Sequence, residues 1–133
     1  MKVFLVNGSP HQHGCTDRAL REVASALEQG GIETEIFWIG NQPIGGCIGC
    51  GACAKLGRCA FDGVVNEFAE KLGEADGFVF GSPVHYAAAS GSMTSFLDRL
   101  FYSASEKMRG KPAAVVVSAR RGGTTAAYEQ LLK

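Results

Sequence analysis

The sequence predicts an α/β domain in which a parallel sheet is wrapped on both faces by helices. Short apolar runs alternate with stretches of helical spacing along the 133 residues. Parallel strands need a crossover between them, and a helix supplies it. The loops after three of the apolar runs read "NGSPHQHGCT", "GSPVHY" and "SARRGGT". All three fall at the carboxyl ends of strands, where open α/β sheets bind ligands.

The elements follow in order. "KVFLVNG" is a continuous apolar run ended by Asn-Gly, which suits a strand covered on both faces. "TDRALREVASALEQGG" carries Leu20, Val23, Ala24 and Leu27 on one helix face, with Thr16 as the expected N-cap and Gly30-Gly31 as the stop. "IETEIFWI" is the second strand. A cysteine-rich loop follows, and "VVNEFAEKLGEA" then returns to helical spacing through Val64, Phe68 and Leu72. "DGFVFGSP" is a third strand, expected to end at Gly-Ser-Pro. "SGSMTSFLDRLFYSA" is a helix through Met93, Leu97 and Phe101. "KPAAVVVSA" is a fourth strand and "TTAAYEQLLK" begins a fourth helix.

With 46% hydrophobic residues the chain can bury a core, and its length suits one domain over 1–133. Lys plus Arg equals Asp plus Glu at 13 each, so no basic field gathers nucleic acid. No apolar run approaches the ~20 residues of a membrane span, and "MKVFLVNGSP" reads as a buried strand, not a targeting segment. Five cysteines without an export signal place the chain in the reducing cytoplasm, where clustered thiols mean metal or redox chemistry more often than disulfides.

The first loop joins a strand to a helix N-terminus, whose free N–H groups and dipole suit an anion, and Ser9 and Thr16 add hydroxyls. The dinucleotide and nucleotide-triphosphate glycine fingerprints are absent. In the second loop, Pro83 and Val84 beside His85 and Tyr86 suit a flat heteroaromatic ligand, or equally a turn with a partly buried tyrosine. In the third, Gly122 and Gly123 let backbone approach a ligand, with Arg120 and Arg121 nearby.

Cys47, Cys50, Cys53 and Cys59 have the spacing C-x2-C-x2-C-x5-C. Two short intervals let three thiolates curl around one face of a cubane, and the longer one brings a fourth across. Bacterial ferredoxins start similarly, but their fourth nearby cysteine serves a second cluster and precedes Pro. Here Ala60 follows Cys59 and no second set exists, so one [4Fe–4S] cluster is a natural reading. Zinc, which more often takes two separated C-x2-C pairs, and a metal-free thiol loop remain its rivals.

At "NGSPHQHGCT", the cysteine loop, "GSPVHYAAASGSMTSFLDR" and "SARRGGTT" the sequence resembles the flavodoxin-like NAD(P)H-dependent FMN reductase family, more narrowly its iron–sulfur flavoprotein branch. The resemblance implies a flavodoxin-like, doubly wound fold and noncovalent FMN. The FMN phosphate would meet Ser9, His11, Cys15 and Thr16. The ring would lie along Pro83, Val84, His85 and Tyr86, with Ser118, Arg120, Gly122 and Gly123 closing the other edge. His11 stands where the family often has Arg or Lys and Cys15 where it has Asn, and a mostly neutral His11 would make phosphate binding lean on backbone amides. His85 stands where an aromatic Tyr that could stack on the ring is common. The flavodoxin sheet has strand order 2-1-3-4-5, and this sequence offers four strands. "AAVVVSA" would then be an apolar edge, either because the chain is C-terminally truncated or because a partner subunit covers it.

The expected function is an FMN-dependent oxidoreductase that passes electrons from NAD(P)H through FMN to a small-molecule or protein acceptor. No side-chain acid or base is required, because the cofactor carries the chemistry. The alternative is an electron carrier that links ferredoxin-like partners through FMN and a [4Fe–4S] cluster. A ligand-binding domain without turnover is the third reading. The resemblance also implies a homo-oligomer.

Overall fold

A computed structural model describes residues 1–132. Its elements are β1 (Lys2–Asn7), α1 (Cys15–Gln29), β2 (Glu33–Trp38), the single turn α2 (Cys53–Leu56), α3 (Val64–Lys71), β3 (Gly77–His85), β4 (Ala88–Ala89), α4 (Gly91–Ala104), β5 (Ala113–Ser118) and α5 (Thr124–Leu131). The four expected strands are all present and pair in parallel in the order β2-β1-β3-β5. Lys133, the end of the expected fourth helix, lies outside the described residues.

The two-residue period of β1 explains how both faces are covered. Phe4 and Val6 face one way, into a cluster with Phe68 and Leu72 and with Met93, Phe96 and Leu97 of α4. Leu5 faces the other, against Leu20 and Ala24 of α1 and Val79 of β3. Phe68 is the hub of the larger cluster, with ring centroids 4.9 to 6.4 Å from Phe37, Phe96, Phe4 and Phe78. Of the face expected for α3, Phe68 and Leu72 are fully buried and Val64 is half-buried against the core, with Val65 fully buried beside them.

Two boundaries differ from expectation. β3 does not stop at Gly81-Ser82-Pro83 but runs on to His85, turns through Tyr86 and Ala87, and pairs antiparallel with β4. Pro83 lies opposite Ser118, the last residue of β5, so the β3–β5 pairing ends at it. The second difference is α1, which starts at Cys15 with Gly14 before it, so Thr16 is not its cap. Among the described residues β5 pairs only with β3, with Ala113 and Ala114 exposed and Val115 to Val117 half-buried. No helix among the described residues is long and apolar enough to cross a membrane.

The amino-terminal edge of the sheet is closed by charge. Lys2 pairs with Glu35 at 3.0 Å and with Glu33 and Glu74 at 3.3 Å, and Lys71 pairs with Glu35 at 2.9 Å. Hydrogen bonds to Glu35, Glu33 and Glu74, against a lesser cost of desolvation, hold the Lys2 ammonium above its ordinary value. Lys71 first, and then Lys2, hold the Glu35 carboxyl below its ordinary value despite partial burial.

Candidate functional site

At the carboxyl edge, the loop after β1 is shaped by Asn7, which is fully buried. Its Oδ1 accepts from the Ser9 N–H at 3.0 Å and its Nδ2 donates to the Gln12 carbonyl at 3.1 Å. The Ser9 hydroxyl accepts from the His11 N–H at 3.1 Å, and the Trp38 indole donates to the Ser9 carbonyl at 2.8 Å. This loop leads into α1, whose first turn carries no side-chain cap. Its leading amides therefore have no side-chain acceptor, the condition that suits an anion. Asp17, in that turn, would oppose an anion, but its carboxylate is turned to Arg21 at 2.8 Å and His13 at 3.4 Å. Burial pushes the Asp17 carboxyl up, and the bonds from Arg21 and His13 more than reverse this, so it lies below its ordinary value.

Thr16 is buried, and its hydroxyl lies 3.0 Å from that of Ser118, 102 residues away at the end of β5. The hydroxyl expected to cap the helix instead ties the first loop to the third. The first and second loops are tied as well. Ser90, the N-cap of α4, donates to the Gly8 carbonyl at 2.7 Å, and its N–H donates to the Ser82 hydroxyl at 2.9 Å.

The turn of the second loop is strained. Tyr86 and Ala87 have φ of +48° and +61°, in the left-handed region that costs residues with a Cβ about 1–2 kcal/mol each. The third loop backs this turn: Gly123 has φ +90°, and a Cβ there would sit 2.7 Å from the Ala87 Cα. Pro83 and Val84 are half-buried, and His85 is exposed. Tyr86 is fully exposed, not partly buried, and Arg120, Arg121 and Gly122 are exposed. His11 and Cys15 are exposed on the first loop. The structure thus brings the first, second and third loops to one edge, with Thr16–Ser118 and Gly123–Ala87 as the joints.

The cysteine loop leaves the end of β2. Gly49 and Gly51, with φ of +66° and +69°, fold the chain on either side of Cys50. All five cysteines are free thiols. Cys47, Cys50, Cys53 and Cys59 line one cavity of about 110 Å³, with Phe61, Arg99 and Tyr102 on its wall. Among the described residues no carboxylate or imidazole lines it. An all-sulfur donor set fits an iron–sulfur cluster or zinc and does not fit magnesium or calcium. N–H groups reach two of the sulfurs: Gly49 N–H to Cys47 Sγ at 3.5 Å and Arg99 Nε to Cys59 Sγ at 3.3 Å. The cysteines share a wall but are not gathered to ligating distance: among the described residues no three His, Cys, Asp or Glu form a metal-holding group. The Cys53 thiol points instead to the Tyr102 carbonyl at 3.4 Å.

The model for the NADPH-dependent FMN reductase family matches residues 1–133. The chain belongs to that family. Within it the chain falls in the iron–sulfur flavoprotein branch. An iron-sulfur flavoprotein of Methanocaldococcus jannaschii is 33% identical, covering 98% of this chain and 69% of the relative. One from Archaeoglobus fulgidus is 31% identical, covering 99% and 67%. The chain spans 54% to 69% of the length of the first three such relatives. Among solved structures, the flavoenzyme NAD(P)H:(acceptor) oxidoreductase FerB from Paracoccus denitrificans superposes with a TM-score of 0.72 at 18% identity, covering 98% of this chain and 68% of that one. The NAD(P)H:quinone oxidoreductase from Methanothermobacter marburgensis gives 0.66 at 18%, covering 92% and 68%. At that identity these likenesses establish the flavodoxin-like fold. Family membership makes the chain an oxidoreductase of the FMN-dependent kind.

Sequence reasoning missed Asn7, Trp38, Asn66 and Arg99. Asn7 was legible only as the end of a strand, although Asn before Gly-Ser-Pro is a loop-shaping residue by its side-chain chemistry. Arg99 and Asn66 sit on otherwise apolar helix faces, and a polar residue at a core position is the signal that marks them.

Proposed function

We propose that this protein takes electrons from NAD(P)H through FMN held at the loops after β1, β3 and β5, and passes them to an acceptor. The observation that carries this reading is the joint between Thr16 and Ser118, which closes the first loop onto the third around the uncapped start of α1. The amides of that helix start, with Ser9, His11, Cys15 and Thr16 around them, would hold the phosphate. Pro83, Val84, His85 and Tyr86 would line the ring on one side, and Ser118, Arg120, Gly122 and Gly123 would close the other. Bound FMN supplies the hydride-accepting and electron-passing chemistry. The protein's own part is to bind and orient. Asp17 is turned away from the anion by Arg21, and the strained Tyr86–Ala87 turn is held in place by Gly123. Strain kept at such a turn is a recurring mark of ligand sites.

The test is oxidation of NADH and NADPH by anaerobically purified, fully flavinated protein, with quinones and ferricyanide as acceptors. Turnover with either nucleotide supports the reading, and a flavinated sample that oxidises neither sinks it.

A second reading has one specific observation in its favour, the four cysteines on one cavity wall. Cys47, Cys50, Cys53 and Cys59 would hold a [4Fe–4S] cluster, and the protein would then carry electrons between FMN and a ferredoxin-like partner. Such a cluster supplies one-electron transfer. Iron and acid-labile sulfide at about four each per chain, with reduction by ferredoxin and not by NAD(P)H, favours the carrier. Free thiols throughout suit the cytoplasm. Ile48, Leu56 and Tyr102, exposed around the cysteines, support a homo-oligomer, which light scattering would detect.

A further inference from the structure

Arg99 lies on α4 with only 7% of its surface exposed. Arginine is almost never buried unless its charge and N–H groups are engaged. Here the guanidinium forks. Nε donates to Cys59 Sγ at 3.3 Å, Nη2 donates to the Phe61 carbonyl at 2.6 Å, and Cζ lies 5.7 Å from the centre of the Phe61 ring. A planar fork holds donors on separate nitrogens in fixed directions, here toward a sulfur and a carbonyl, whereas a lysine presents all its donors from one rotating nitrogen.

The backbone of Cys59 is already held by a different residue. Asn66, buried on α3, accepts from the Cys59 N–H at 3.1 Å and donates to the Cys59 carbonyl at 3.0 Å and the Phe61 carbonyl at 3.2 Å. Arg99 shares the Phe61 carbonyl with Asn66, while the main chain of Cys59 itself is held by Asn66. What it adds is a positive charge and an N–H aimed at one sulfur, within a wall shared by all four cysteines.

We propose that Arg99 is a positioning residue for the cysteine site, whose guanidinium raises the reduction potential of a cluster held there. This rests on the cluster reading above. A cluster gains one negative charge on reduction, and hydrogen bonds to its sulfurs and nearby positive charge favour the reduced form. Burial strengthens both, because a lower effective dielectric screens them less.

The experiment compares wild-type, Arg99→Gln and Arg99→Lys protein after anaerobic reconstitution. Iron and sulfide are counted, and the cluster is titrated to its midpoint by EPR. Arg99→Gln is expected to hold the cluster but to shift the ratio of reduced to oxidised cluster about tenfold toward oxidised, equivalent to about 59 mV for one electron. Arg99→Lys, which keeps the charge and loses the fork, is expected to fall between. An Arg99→Gln cluster at full iron content with the wild-type midpoint overturns the inference and leaves the cluster reading standing. Wild-type protein that takes up no iron or sulfide removes the cluster reading, and this inference with it. Should Arg99→Gln fail to fold or to hold iron, pulsed EPR on reduced, ¹⁵N-arginine-labelled Arg58→Lys protein decides, since Arg58 is the other arginine beside Cys59. A guanidinium ¹⁵N coupling to the cluster supports the inference, and its absence overturns it.

Discussion

Around the loops after β1, β3 and β5, polar side chains are engaged with one another across the sheet. Asn7, Ser9, Thr16, Ser82, Ser90 and Ser118 all bond within or between the three loops, and Trp38 bonds to the first from β2. The cysteine loop is the opposite case. From Cys47 to Cys50 it carries no helix or strand and is exposed, and its better-held part, Cys59 to Phe61, is fixed from outside by Asn66 and Arg99. One region is held together by its own side chains. The other has its donors on one wall and no shared centre, so whatever binds there must supply the last of the geometry. Metal sites commonly work this way, because the binding energy of the metal is also folding energy.

The largest expected effect breaks the two regions apart. Cys50→Ser removes a donor from the middle of the spacing, and iron should drop from about four per chain to near zero, while FMN content stays at the wild-type level. Loss of FMN along with iron would mean that the loops are one cooperative site, and the contrast drawn above would be wrong.

Next comes Gly123→Ala, which strikes the joint behind the strained turn. A methyl there would sit 2.7 Å from the Ala87 Cα on a residue with φ +90°. Left-handed strain and overpacking together should cost about 2–4 kcal/mol of stability, read in a urea titration with unchanged slope. FMN should bind more weakly while iron uptake is retained. An unchanged midpoint would show that Tyr86 and Ala87 give way freely, and that the turn is not held by the third loop.

A smaller effect sharpens the picture of the preorganised site. Thr16→Val loses the hydroxyl that meets Ser118, at about 1 kcal/mol or roughly fivefold in FMN affinity. Ser118→Ala should do the same, and the double variant should cost little more than either, since both lose one shared bond. Additive losses would mean that each hydroxyl meets the cofactor independently.

How much of this was legible in the sequence differs between the same two regions. The helices announced themselves by period and the strands by continuous apolar runs such as "VFLV" and "GFVF", which suit sheet strands buried on both faces. The spacing of the four cysteines pointed to a shared metal; they line one cavity, but among the described residues no three of them form a metal-holding group. The joints were not legible. Thr16 before a helical run looks like a cap by local chemistry, and only the return of β5 to lie beside β3 brings Ser118 to it. Pro83 looks like a strand terminus, yet the strand continues because the tertiary pairing with β4 and β5 overrides the local signal. Arg99 and Asn66 are polar letters on the buried faces of amphipathic helices, and their meaning depends on a loop about 40 residues away in one case and on its nearer end in the other.

The smallest expected effect comes from the far end of the sheet, where it separates site chemistry from bulk stability. Glu35 pairs with Lys71 and Lys2 at the amino-terminal edge, away from both loops. Its carboxyl is held below its ordinary value of 4.5, so the pairing stabilises the fold above about that pH and is lost as the pH falls through the lowered folded value. The side chain is one-third exposed, so solvent screening keeps the effect of Glu35→Gln under about 1 kcal/mol at pH 7. The difference between variant and wild type should shrink steadily below pH 4.5 and disappear in stronger acid, as read by urea midpoints at each pH. Iron content and FMN affinity at pH 7 should both stay at wild-type values. A change in either would mean that the sheet transmits strain from edge to edge, and the losses at Thr16 and Gly123 would then need to be corrected for it.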